Sequence, residues 1–121
     1  MGRTRNQGSN WIRPVKRLAI YMRDGFCCAY CGANGENESI QLTLDHLIPC
    51  ESGGSNHQNN LITACLSCNS SKKHQSLTRW YAVLKDRGVQ TSKMGARIRR
   101  LVKKPLDRKA AKVLYQERIQ Y

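Results

Sequence analysis

Apolar residues recur along this chain in two rhythms, and each change of rhythm marks an element. Between Pro14 and Gly25, Val15, Leu18, Ala19 and Met22 fall on one helix face, with Pro14 suited to the first turn and Gly25 to the stop. Residues 26–41 read as a cysteine-bearing turn and the polar loop GANGENES. The rhythm then changes to alternation: IQLTLDHLI, rich in branched side chains, predicts a strand ending near Pro49. ESGGSNHQN is loop, NLITAC a second short strand, and LSCNSSKKHQS opens a helix. SLTRWYAVLKDRG predicts a longer helix with Leu77, Trp80, Tyr81 and Leu84 on one face and Gly88 as its stop. Two basic helical stretches follow, KMGARIRRLVKK, broken by Pro105, and DRKAAKVLYQERIQ, capped by Asp107 and striped by Ala111, Leu114 and Tyr115. The order of elements is that of an α+β, mainly helical chain. Residues 1–10 carry nothing worth burying and read as a flexible basic arm. Trp11, Trp80 and Tyr81 read as core rather than as stacking platforms for bases.

Charge changes this picture more than size does. The 121 residues include 21 Lys and Arg against 8 Asp and Glu, a formal +13. Such an excess points to a polyanionic partner, because neutralising phosphates releases condensed counterions. An anionic membrane surface competes as partner, and solvation of helix faces takes some of the cations. The distribution is uneven. Residues 27–68 hold no Lys or Arg and four acids, Glu36, Glu38, Asp45 and Glu51, whereas residues 69–121 hold fifteen basic and three acidic side chains. That is the pattern expected if the centre holds metal and the flanks hold phosphate. No run approaches the ~18 apolar residues of a spanning helix, and MGRTRNQGSNW lacks the apolar stretch of a secretory leader. The expected location is therefore reducing and cytoplasmic, in a bacterial or phage-infected cell.

In a reducing compartment six cysteines read as metal ligands or free thiols before disulfides. Cys28 and Cys31 form one CxxC pair and Cys65 and Cys68 a second, with 33 residues between the pairs. Two-residue spacing turns both sulfurs of a pair toward one ion, and two pairs complete a closed tetrahedral site for structural Zn²⁺. A redox CxxC and four unrelated buried thiols are the alternatives. Cys27 and Cys50 are left over and read as buried or half-buried thiols.

Between and beside the pairs lie LDHLIP, NNL and CNSSKK. Asp45 and His46 are adjacent titratable groups on an apolar strand, Asn60 precedes the second strand, and Asn69 follows Cys68 directly, so a metal at the cysteines fixes its position. Residues 28–73 resemble the HNH nuclease family on CAYCG, LDHLIPCESGG, NNLITACLSCN and the SSKK that follows. The resemblance implies a ββα-metal nuclease core with a four-cysteine zinc site and flanking basic helices. It implies that His46 is the general base, that Asp45 and Asn69 hold a catalytic divalent cation, and that Asn60 braces the loop orienting His46. The family often has His where this chain has Asn69, so the motif is an H-N-N variant, and a neutral amide oxygen suits Mg²⁺ or Mn²⁺ over softer metals. An imidazole titrating near neutrality can take a water proton at working pH, and a cation with two protein ligands keeps positions open for a scissile phosphate.

The chain is thus expected to divide into the arm 1–10, a zinc-bound nuclease core with its N-terminal helix at 11–76, and a basic helical extension at 77–121. Expected phosphate contacts are Lys72, Lys73, Arg79, Arg97, Arg99, Arg100, Lys103 and Lys104, with double-stranded DNA as partner and a dimer as one way to cut both strands. Lys72 or Lys73 could instead solvate a helix face, and His57 and His74 read as solvated. The alternative function is a catalytically silent zinc protein that only grips DNA. RNA binding is weaker, since no aromatic stacking surface is evident. The small size suits an enzyme of a phage or mobile element. One geometric obstacle stands out. Neighbours on a strand point to opposite faces, so Asp45 and His46 reach one phosphate only if the strand bends or bulges before Pro49.

Overall fold

In the computed structural model, which describes residues 12–119, β1 (Leu42–His46) and β2 (Leu61–Cys65) pair antiparallel with Leu42 opposite Cys65 and His46 opposite Leu61. The expected arm at 1–10 and Trp11 lie outside the described residues. A two-stranded ribbon is barely stable in water, so both of its faces must be covered. On one face Leu44 and Leu61 pack with Ile20 of helix α1 (Pro14–Arg23) and with Ile12. On the other, Ile62 and Ala64 join Ala29, Tyr30 and Trp80 in the largest apolar cluster. Helix α2 (Leu66–Lys72) follows β2 at once and completes a ββα unit.

Two of the later helices pack directly on this unit. Trp80 and Leu84 of α3 (Leu77–Asp86) and Met94 and Ile98 of α4 (Thr91–Leu101) sit in the same cluster as Cys28, Cys65 and Cys68. Trp80 is fully buried and meets Tyr30 edge to face, ring centroids 5.6 Å apart. Helix α5 (Arg108–Ile119) buries Ala111 against Leu18 and Ala19 of α1, with Leu114 and Tyr115 beside them. The expected cap holds, since the Ala110 N–H donates to Asp107 Oδ1 at 3.0 Å. Ser76 likewise caps α3 through the Arg79 N–H, and Gly25 and Gly88 adopt the positive φ that ends α1 and α3. Among the described residues no helix is long and apolar enough to cross a membrane.

How the edges of the ribbon are satisfied decides where a site can form. Along the outer edge of β2, the Thr63 N–H donates to Asp24 Oδ2, Thr63 O accepts from the Ala29 N–H, and Leu61 O accepts from Arg23. Arg23 and Asp24 are themselves a buried ion pair, 2.7 Å apart, that ties the end of α1 to this edge. Among the described residues, no strand pairs with the outer edge of β1. Its carbonyls are taken by side chains: Leu42 O by the Tyr21 hydroxyl, Leu44 O by Asn69 Nδ2 and His46 O by Lys72 Nζ, at 3.1, 3.1 and 3.0 Å. Side chains end an edge without covering it, and an open groove remains.

Trp80 joins the ribbon, the cysteine turn and two later helices through one side chain. Trp80→Ala is expected to cost about 3–5 kcal/mol, read as a fall in the urea midpoint with an unchanged slope.

Candidate metal centre and active-site cleft

The cysteine cluster is assembled from two turns of the same design. In the first, the Cys31 N–H points at Cys28 Sγ (3.5 Å) and Gly32, at φ +80, returns its N–H to Cys28 O. In the second, at the junction of β2 and α2, the Cys68 N–H points at Cys65 Sγ (3.4 Å). All four sulfurs lie within 4.8 Å of one another. An ion about 2.3 Å from four sulfurs needs S···S edges of ~3.8 Å, and Cys31 Sγ and Cys65 Sγ are 3.8 Å apart. The donor set therefore fits a tetrahedral thiophilic metal. The Cys68 thiol and the Cys31 N–H hold Cys28 down at about 4 against its burial, while the bond to Cys28 pushes Cys68 up, so a thiolate is favoured at the centre of the cluster. Cys27 and Cys50 are half-buried, as expected of the two cysteines outside the pairs.

The groove along β1 is the second feature, a cleft of about 530 Å³. Six consecutive residues, Gln41 through His46, border it, which requires the cleft to run along the strand's open edge. α1 supplies Arg17 and Tyr21 on one side, and α2 with the turn after it supplies Asn69, Lys72, Lys73 and His74 on the other. This arrangement resolves the divergence of Asp45 and His46. Register is unbroken from Leu42 to His46, and of the two expected alternatives the chain shows the bend, at Leu47 and Ile48 before Pro49. The two side chains leave opposite faces of one edge strand, and a cleft that wraps the edge meets both.

Asp45 is 5% exposed and fully engaged. Tyr30 donates its hydroxyl to Oδ2, and Lys72 Nζ lies 3.1 Å from Oδ2 and 3.3 Å from Oδ1. Burial pushes the Asp45 carboxyl up, and the Lys72 ammonium pulls it back. Burial and the neighbouring carboxylate push Tyr30 well up, which keeps it a hydroxyl donor. His46 leans the other way, with Nε2 2.7 Å from Asn56 Oδ1 and 3.5 Å from Cys50 Sγ. Asn69 commits its amide N–H groups to Thr43 Oγ1 and Leu44 O. Because a carbonyl only accepts, the amide orientation is set, and Oδ1 is the end left to accept from another partner. A carboxylate and an amide oxygen on one cleft suit a hard divalent cation.

Asn60 lies beneath this arrangement, in a single helical turn before β2, and is buried. Its Oδ1 accepts from the Ile48 N–H, and its Nδ2 donates to Ile48 O and Ser55 O, stitching both ends of the loop that carries Cys50 and Asn56. The loop is drawn so tight that a Cβ on Gly54 would sit 1.7 Å from Ile48 O.

Of the eight cations expected to meet phosphate, Lys72 and Lys73 border the cleft. Lys72 is 1% exposed and turned inward onto Asp45, so it neither solvates a helix face nor presents a surface charge. Arg97 Nη2 donates to Ala29 O in the cysteine turn. Arg99, Arg100, Lys103 and Lys104 are exposed on and just after α4, and Arg79 is exposed on α3. His57 is exposed and accepts from the Asn59 N–H, and His74 forms an exposed pair with Glu51. Sequence reasoning did not single out Tyr30, Tyr21, Arg17 or Asn56. Asn56 is one of several polar loop residues and Tyr30 one aromatic among five tyrosines, and nothing local distinguishes either.

Comparison with known proteins found two similarities. Residues 28–75 match the HNH endonuclease family. A stretch of 67 residues is 34% identical to the CRISPR-associated endonuclease Cas9 of Actinomyces naeslundii, covering 54% of this chain and 6% of that protein. The chain thus spans a small fraction of that relative's length. Residues 28–75 are thus similar to HNH endonuclease domains, and both comparisons support a nuclease.

Removing the Asn60 amide takes away the partner of the Ile48 N–H and of the Ile48 and Ser55 carbonyls, and so releases the loop. Asn60→Ala should therefore lose hydrogen-exchange protection at the Ile48 N–H. Protection equal to wild type would show that the loop is held by something else.

Proposed function

We propose that this protein is a metal-dependent DNA endonuclease in which His46 is the general base and Asp45 and Asn69 hold one Mg²⁺ or Mn²⁺. The observation that carries the reading is that these three side chains border one cleft along the open edge of β1. Asn56 Oδ1, 2.7 Å from Nε2, orients the His46 imidazole that takes the proton of the attacking water. Asn60 keeps that partner in place by pinning the loop at Ile48 and Ser55. The divalent cation would supply charge compensation at the phosphate and at the departing 3′-oxygen.

The four-cysteine site is read as structural Zn²⁺, since four protein thiolates leave no open position. It joins the first cysteine turn to the start of α2, one residue before Asn69. Arg17 and Lys73, which border the cleft, are read as contacts to the cleaved strand, and Arg79, Arg99, Arg100, Lys103 and Lys104 as contacts to phosphates further along the duplex.

Incubation of zinc-loaded protein with supercoiled plasmid and Mg²⁺ or Mn²⁺ tests the reading. One site hydrolyses one phosphodiester, so relaxed circles should precede linear product. His46→Ala should abolish cleavage and leave DNA affinity within about two-fold, and cleavage by that variant at the wild-type rate would refute the base assignment. Plasmid that stays supercoiled with both ions while DNA is still bound would leave a zinc-containing DNA-binding protein as the function. Affinity carried by phosphates should fall steeply with salt, with a log–log slope near −0.9 per contact on duplex DNA. A flat dependence would remove the cationic flanks from the account.

A further inference from the structure

The two adjacent lysines after Asn69 have opposite fates. Lys73 leaves α2 with a left-handed backbone, φ +52, and is exposed at the cleft. Lys72 is among the most deeply buried side chains of the protein. Its ammonium lies 3.1 and 3.3 Å from the two oxygens of Asp45 and 3.0 Å from His46 O. It therefore straddles the carboxylate, the side from which a cation binds both oxygens. A buried carboxylate without a counter-charge is strongly unfavourable, and Tyr30 contributes a hydrogen bond but no charge.

We infer that Lys72 is an internal competitor for the divalent ion: its ammonium neutralises Asp45 when no metal is bound and must give up that carboxylate for metal to enter. The inference rests on the reading of Asp45 as a metal ligand. An ammonium and a divalent cation on one buried carboxylate repel strongly, because little water lies between them. Two properties follow from the exchange. The cleft keeps its shape without metal, since Asp45 stays paired and His46 O stays bonded. Metal affinity is also held below what the two oxygen ligands alone would give, so only an ion of higher charge than Lys72 displaces it.

The test measures Mn²⁺ binding by calorimetry and by electron paramagnetic resonance of free Mn²⁺, on zinc-loaded full-length protein. Lys72→Met should bind Mn²⁺ about ten-fold or more tightly than wild type. Lys73→Met, which removes an equal but exposed and screened charge, should change affinity by no more than about two-fold. Equal or weaker binding by a folded, zinc-replete Lys72→Met protein would overturn the proposal, as would a gain in Lys73→Met as large as that in Lys72→Met. If Lys72→Met does not fold, the wild type decides. The ¹⁵N resonance of the buried ammonium should move as Mg²⁺ is added, at the midpoint of Mg²⁺ binding, and a resonance unmoved at saturation would sink the idea. Absence of Mg²⁺ and Mn²⁺ binding by wild type and variants alike would overturn the metal reading of Asp45 itself, and this proposal with it.

Discussion

The outer edge of β1 carries three backbone carbonyls that no strand reaches, and the rest of the site follows from how they are satisfied. A buried carbonyl must find a donor. Here Tyr21 comes from α1, and Asn69 and Lys72 come from α2. Those bonds set α1 and α2 on either side of the strand and leave a cleft between them. A third strand on that edge would satisfy the same carbonyls and fill the space. β2 shows the contrast, since Arg23, Asp24 and Ala29 close its outer edge and leave no comparable opening.

The cysteine cluster and the cleft share an element. Cys65 accepts from the Cys68 N–H and so caps the start of α2, and Asn69 and Lys72 lie on the next turn. Anything that gathers the four sulfurs also sets the rotation of α2 against β1, and with it the side chains that reach the strand's carbonyls. Trp80, Met94 and Ile98 pack against the cysteines from behind. Helices α3 and α4 thus buttress the cluster with their apolar faces, whereas α5 packs on α1.

The excess of positive charge divides into two populations. Arg23, Lys72 and Arg97 turn inward and bond backbone carbonyls or a buried carboxylate, where they organise the fold. Most of the other cations on α3, α4 and α5 are exposed, although Arg118 lies over the Phe26 ring. An inward cation shares its field with a fixed partner, and only the outward set can answer to salt and phosphate. Counting Lys and Arg does not separate these populations.

The sequence determined much of the framework by itself. Both cysteine pairs, the ββα order, the Asp107 cap, the stops at Gly25 and Gly88 and the core position of Trp80 depend on spacing and local backbone preference, and these are written in consecutive residues. The grouping of Asp45, His46, Asn60 and Asn69 was legible as a motif, because a chain with these elements must bring them to one region. Tertiary structure alone decided how the groups are used. Lys72 and Lys73 are identical in sequence, yet one is buried on Asp45 and the other left exposed, since burial depends on the phase at which α2 meets β1. Asn56 reaches His46 only because Asn60 draws the loop closed across Ile48 and Ser55. Of the bend or bulge expected before Pro49, the chain shows the bend, at Leu47 and Ile48, with the register of β1 unbroken before it. Whether two diverging side chains can serve one cleft depends on whether their strand is an edge, and edges belong to the sheet rather than to the strand.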